Sequence, residues 1–184
     1  GDDFLYTGAG SDLIDGRGGN DTILDEQLVN GAASTLLGGD GNDSIRSMGG
    51  ADSVDGGTGD DTLTINGQGA SAGSEYLVDG SGTLTTGAGL VARNVEAFRI
   101  LAGSHADTIR LGAGHDYIEG ANGNDLITGG GGNDFVAAGW GDDTVSWSVG
   151  DGNDTLNGDL GNDVLDLEGW APGASNPWVV GTTA

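Results

Sequence analysis

The sequence predicts an all-β chain wound as a right-handed parallel solenoid of short strands. Three observations carry that reading. Aspartates recur every nine residues along most of the chain. An aliphatic residue stands two positions after each of them, and a glycine usually stands two positions before. Glycine supplies 40 of the 184 residues, without the every-third period of a collagen helix.

In order along the chain, Asp3, Asp12 and Asp21 open the series, followed by Leu5, Ile14 and Ile23. The next member is Asp43, and part of the gap before it reads as a degenerate repeat. Leu36 holds the aliphatic position and Ser34 stands where the aspartate belongs. The excess near Asp25 to Val29 is predicted to bulge outward. Asp43, Asp52 and Asp61, with Ile45, Val54 and Leu63, form a second block. Residues 65–102 then break the period. Within them Glu75–Val78, Thr83–Thr86 and Leu90–Ile100 have strand-like composition, separated by Asp79-Gly80 and Gly87-Ala88-Gly89. The third block is Asp107, Asp116, Asp125, Asp134, Asp143, Asp154 and Asp163, with Ile109, Ile118, Ile127, Val136, Val145, Leu156 and Leu165. Trp147 and Ser148 are additional residues before Asp154. Beyond Leu165 the apolar Leu167, Trp170, Trp178, Val179 and Val180 are interspersed with Pro172 and Pro177, a composition suited to capping an open solenoid end.

Each nonapeptide supplies one short strand and one tight turn. The aliphatic lies at the strand centre and faces inward by the period-two alternation of β structure. The glycines of the turn allow positive φ and close backbone approach. Two nonapeptides make one coil, so repeats n and n+2 lie on the same side. Ile109, Ile127 and Val145 should stack in one ladder, and Ile118, Val136 and Leu156 in another. Each buried aliphatic contributes about 1.5–3 kcal/mol, whereas ordering nine residues costs about 1–2 kcal/mol for each backbone unit. The fold therefore needs a further stabilising term.

Composition points to what that term is. Acids number 29 and bases 5, all of them arginine, for a net charge of -24. Stacked turns bring the aspartates together, so a cation must neutralise them. No basic stripe exists to bind nucleic acid or an anionic membrane surface, and no apolar run is long enough for a transmembrane helix. The absence of cysteine excludes thiolate metal sites. Calcium fits the available donors: it takes six to eight oxygens at about 2.3–2.6 Å, from carboxylates and carbonyls alike. The pairs expected to share ions are Asp3 with Asp21, Asp43 with Asp61, Asp107 with Asp125, Asp116 with Asp134, Asp125 with Asp143, Asp134 with Asp154, and Asp143 with Asp163. If Ser34 fills a repeat slot, Asp21 also pairs with Asp43, and sites that use Ser34 lack one charge. The insertion at Trp147-Ser148 weakens the case for the Asp134 and Asp154 pair.

Other features read as structural. Asp2, Asp60, Asp142 and Asp151 are solvated turn residues, and His105 and His115 occupy variable turn positions. Tyr117 and Phe135 should stack on the outside. No His-Glu-x-x-His motif and no lysine occur, which removes the zincin and Walker-type readings. No catalytic and no organic-cofactor residues are assigned, and the module reads as non-catalytic.

The unit G-G-x-G-x-D-x-(aliphatic)-x, clearest at Gly130-Gly131-Gly132-Asn133-Asp134-Phe135-Val136, resembles the nonapeptide of the RTX (repeats-in-toxin, hemolysin-type calcium-binding) family. The resemblance implies a β-roll that binds several Ca²⁺ ions, with backbone oxygens at Gly114, Gly123, Gly132 and Gly141 completing sites built on the aspartates. It implies segments at 1–64 (with the degenerate repeat near 30–37), 103–165 and a cap at 166–184, with 65–102 a β-rich interruption or linker. It also implies a fragment of a larger secreted bacterial protein, extracellular or at the cell surface. Calcium-coupled folding outside the cell would support type I secretion, through that machinery as partner, and activation of an attached effector. A calcium-stiffened structural or adhesive module that self-associates through calcium is a second expectation. A polysaccharide-binding accessory is a third, weakened by the scattered arginines.

Overall fold

The triplet after each aspartate is a strand, its centre buried in every coil but the end ones, where Leu5 and Leu165 are half-buried. Thr108–Arg110, Tyr117–Glu119 and Leu126–Thr128 each bury only their isoleucine. A computed structural model describes residues 1–25, 32–169 and 180–181. Among the described residues there are strands and turns and no helix. They wind as a β-solenoid with two long walls of strands.

The first sheet has nine strands, in the order Phe4–Thr7, Thr22–Asp25, Ser44–Ser47, Thr62–Asn66, Ala97–Leu101, Tyr117–Glu119, Phe135–Trp140, Thr155–Leu160 and Val180–Gly181. All its pairings are parallel. The second sheet has ten, in the order Leu13–Asp15, Thr35–Asp40, Ser53–Thr58, Val91–Arg93, Leu84–Thr86, Glu75–Val78, Thr108–Arg110, Leu126–Thr128, Thr144–Ser148 and Val164–Glu168. The expected ladders are present. Ile109 pairs with Ile127, and Ile127 with Val145. Ile118 pairs with Val136, and Val136 with Leu156. These residues form one continuous core with Ile23, Leu36, Ile45, Val54 and Leu63. Ser34 does fill a repeat slot, because Thr35 and Leu36 pair with Leu13 and Ile14.

Residues 65–102 contribute strands to both sheets. Glu75–Val78 and Leu84–Thr86 pair antiparallel, as do Leu84–Thr86 and Val91–Arg93. This three-stranded meander lies between Ser53–Thr58 and Thr108–Arg110 in the second sheet. In the first sheet the single strand Ala97–Leu101 spans the same junction. The strand-like stretch 90–100 is thus divided in two at Asn94, which takes φ 51°.

The register steps by two residues at this junction. Leu63 pairs with Phe98 and Ile65 with Ile100, yet Ile100 pairs with Ile118. The residue two beyond Asp116 is therefore level with the residue four beyond Asp61. The second sheet takes the same step. Val54, Ala92, Leu84 and Val78 form one row, while Ile109 pairs with Tyr76. Strands of the two sheets run in opposite directions, so both steps displace the later coils the same way, by about 7 Å at 3.3 Å per residue. A step of two preserves the inward face, which a step of one would invert.

The lengthened interval before Asp154 leaves the register intact. Its extra length is taken up in a turn where the Ser148 amide donates to Asp151 Oδ2 at 2.6 Å. Strand pairing there still reaches Ser148, opposite Glu168. Most of the predicted bulge after Asp25, and most of the predicted cap, lie outside the described residues. Within the cap range, Val164–Glu168 and Val180–Gly181 continue the two sheets.

Candidate metal centre

The turns form two columns. Those leaving the first sheet carry Asp12, Ser34, Asp52, Asp107, Asp125, Asp143 and Asp163. Those leaving the second carry Asp21, Asp43, Asp61, Asp116, Asp134 and Asp154, with Asp3 at the head. Within each run of coils an aspartate accepts through Oδ1 from the backbone N–H of the equivalent residue one coil earlier; Asp107 and Asp116, the first of the later run, accept from Ser74 and Phe98 instead. The amide of Asp3 donates to Asp21 and that of Asp21 to Asp43, both at 2.7 Å. Asp43 donates to Asp61, Asp107 to Asp125, Asp125 to Asp143 and Asp134 to Asp154, all at 2.8 Å. Asp116 donates to Asp134 at 2.9 Å, Asp143 to Asp163 at 3.1 Å and Ser34 to Asp52 at 2.9 Å. Every expected pair is brought together this way, including Asp134 with Asp154. Asp12 alone meets a hydroxyl, its amide lying 3.4 Å from Ser34 Oγ.

The other carboxylate oxygen is left over. Oδ2 of Asp12, Asp21, Asp43, Asp61, Asp116, Asp125, Asp134 and Asp143 is buried with no hydrogen-bond partner. The interior column residues are nearly inaccessible, from Asp61 at 1 % to Asp154 at 5 %, whereas the end members Asp3 and Asp163 are exposed. Two members have a hydrogen-bond partner for the second oxygen, Asp52 from Ser47 Oγ at 2.7 Å and Asp107 from the Gly103 amide at 3.1 Å, and the Trp147 side chain beside Asp154 partly offsets the effect of its burial. Among the described residues no arginine pairs with a column aspartate; the ion pair present is Arg17 with Asp15 at 3.7 Å.

Burial of uncompensated carboxyls raises their pKa. Asp116 and Asp125 are pushed up to about 7, and Asp134 to about 6. Burial is the main cause, the backbone bonds oppose it, and the neighbouring column carboxylates add repulsion. Burial also raises Asp43, Asp52, Asp61, Asp143 and Asp154. The charge of Asp25 adds to the rise at Asp52.

Glycine positions complete the geometry. Gly16, Gly38, Gly120, Gly129 and Gly158 lie five residues before a column aspartate, and a Cβ on any of them would overlap its Oδ2. At Gly16, Gly38 and Gly120 the same Cβ would also meet the carbonyl oxygens of Gly38, Gly56 and Ala138 in the next coil. A carboxylate oxygen and a carbonyl oxygen thus converge on one point in each of these three turns. Gly114, Gly123, Gly132 and Gly141 hold φ of +143°, +138°, +136° and +144°. Gly132 stacks on the Gly114 carbonyl and Gly141 on that of Gly123, so these backbone oxygens also follow the columns.

These oxygen donors suit a hard cation. Among the described residues no three carboxylate or imidazole side chains meet at one point, so an ion would be held by carboxylate pairs plus backbone oxygens. His105 and His115 are exposed, and His115 Nδ1 accepts from the Asn133 amide at 2.9 Å. Asp2, Asp60 and Asp142 are likewise exposed and join an outer ladder with Asn20, Asn42, Asn124 and Asn162. Tyr117 and Phe135 stack outside the core, centroids 5.0 Å apart, with the Arg99 guanidinium 4.9 Å from the Tyr117 ring centroid.

Residues 1–24, 30–63, 99–118, 112–145 and 148–169 match the family described as the RTX calcium-binding nonapeptide repeat (4 copies). The chain belongs to the RTX family. The matches cover more than half of it, and the unmatched stretch 64–98 holds the meander. No curated protein matches the chain. Its RTX repeats make it a calcium-binding β-roll.

The nine-residue period does not mark Glu96 as a site residue. Its Oε2 accepts from the Asp61 amide at 2.9 Å, as a column aspartate would. The Asn94 carbonyl overlaps the Cβ position of Gly56, beside Asp61 Oδ2. The available signal was the triplet Glu96-Ala97-Phe98, an acid-x-apolar unit with larger residues and off the nine-residue period.

Proposed function

We propose that this RTX chain is a calcium-driven folding module of a larger exported bacterial effector. The observation that carries the reading is the pair of stacked columns of buried aspartates, most of whose Oδ2 atoms have no partner. An uncompensated buried charge is unfavourable by several kcal/mol, and the column repeats it in coil after coil. Calcium removes that opposition, so binding and folding are coupled. RTX proteins are typically secreted, and extracellular calcium modules commonly have Kd of about 10⁻⁴–10⁻³ M, far above cytosolic free calcium. The chain would stay unfolded inside the cell, pass the type I secretion machinery and fold outside, retaining and activating what is attached. The module itself is non-catalytic; its carboxylates are committed to the repeat. The aspartates of the two columns are the assigned ligands, with backbone oxygens completing each site.

Circular dichroism of the apo chain titrated with Ca²⁺, with Mg²⁺ as control, tests the reading. A cooperative coil-to-β transition at sub-millimolar to millimolar calcium, absent with Mg²⁺, is expected. A β signal already complete in chelator would overturn it and leave calcium a structural or adhesive role.

A further inference from the structure

On the calcium-binding reading, the position five residues before a column aspartate lies beneath its Oδ2, as it does at Gly16, Gly38, Gly56, Gly120, Gly129 and Gly158, and elsewhere it is mostly a small or apolar residue. The turns leaving the first sheet in the N-terminal segment depart from this. Thr7 and Ser47 stand five residues before Asp12 and Asp52, and Asp25, nine before Ser34 in sequence, occupies the same position by register, Thr7 pairing with Asp25 and Asp25 with Ser47. The matching column residues are Asp12, Ser34 and Asp52, each one residue before the paired Leu13, Thr35 and Ser53. Each of these three coils therefore carries one carboxylate and one hydroxyl. In the outer two the hydroxyl is inside and the carboxylate is on the column. In the middle coil they have changed places.

Asp25 is not adrift in that position. It is 1 % exposed, and its Oδ1 accepts from Thr7 Oγ1 at 2.9 Å. Its Oδ2 has no partner, like those of the column aspartates. Ser47 Oγ, one coil on, reaches Asp52 Oδ2 at 2.7 Å, so a side chain at this position is long enough to reach the column. A buried carboxylate oxygen facing that wall, without arginine or lysine, calls for a cation.

We infer that Asp25 is a divalent-cation ligand outside the nonapeptide motif, supplying the carboxylate that Ser34 lacks and sharing an ion with Asp52. The site that the motif alone would leave one charge short then has its full complement. The hydroxyls of Thr7 and Ser47 border it, on Asp25 Oδ1 and Asp52 Oδ2.

The test is isothermal titration calorimetry of the full chain with CaCl₂, comparing wild type, Asp25→Asn and the exchanged variant Asp25→Ser/Ser34→Asp. Asp25→Asn keeps the shape and the Thr7 bond and removes the charge; it is expected to lose one calcium ion per chain. The exchanged variant restores the arrangement of the neighbouring coils and is expected to recover that ion. Should Asp25→Asn fail to fold, a folded exchanged variant with wild-type stoichiometry still supports the assignment. Asp25→Asn with undiminished stoichiometry and affinity overturns it, as does an exchanged variant that folds yet stays one ion short. A wild-type chain that takes up no calcium would instead sink the calcium-binding reading itself.

Discussion

Asp125 shows how a single side chain serves two coils. It accepts from Asp107 through Oδ1 and donates its amide to Asp143. Asp125→Asn should therefore impair two adjoining sites, read as reduced calcium stoichiometry by calorimetry; an unchanged titration would count against the sharing. The pH dependence follows from the same column. A carboxyl whose folded pKa lies above its unfolded value of 3.8 favours the fold while protonated, and that contribution is lost as pH rises through the folded value. For Asp116 and Asp125 the window runs from about 4 to about 7. In chelator any β signal should therefore be largest near pH 4 and fall away across that window, leaving the apo chain unfolded at neutral pH. Protons and calcium compete for the same oxygens, so calcium affinity should weaken about tenfold between pH 8 and pH 6. A pH-independent Kd would contradict this. The aspartates were legible in the sequence because position alone marks them. Glu96 and Asp25 were not. Glu96 lies off the period, and Asp25 precedes an insertion that hides its alignment with Ser47.

Among the elements, the turn sets the strictest demand. Gly132 holds φ +136° and a Cβ there would overlap the Gly114 carbonyl, whereas nothing lies within 4 Å of a Cβ on neighbouring Gly131. Gly132→Ala should destabilise the calcium-bound roll by more than about 1 kcal/mol, and Gly131→Ala should stay within about 0.5 kcal/mol. Denaturant unfolding in saturating calcium separates them; equal effects would remove the steric argument. The repeat strands were readable from the D-x-aliphatic pattern, since one inward residue per strand fixes the face. The meander was readable only as composition. Its strand order depends on two reversals, at Asp79–Thr83 and at Thr86–Leu90, and neither follows a period. The splitting of 90–100 at Asn94 was invisible for the same reason: only a turn registered against Gly56 requires it.

At the scale of the whole molecule, a net charge of -24 and a sparse core are reconciled by the columns, where repulsion in the apo chain becomes ligand density. The overall winding was legible because a one-dimensional repeat states its architecture many times over. The lateral step at the meander was not, because a period describes coils and not how two runs of coils meet.

That step has a mechanical consequence. It is a stacking fault, the protein counterpart of a dislocation in a crystal. The Asp107 and Asp116 carboxylates beyond it accept from the amides of Ser74 and Phe98, so neither calcium column crosses the fault as a row of paired aspartates. A folding front travelling coil by coil must nucleate again on the far side. All four tryptophans follow the fault in sequence, and Trp140 and Trp147 stand on strands of the far unit. Tryptophan fluorescence should follow the far unit alone, while far-ultraviolet circular dichroism follows both. The two calcium-withdrawal curves should therefore separate, and superimposable curves would mean that the fault transmits order as well as the regular coils do.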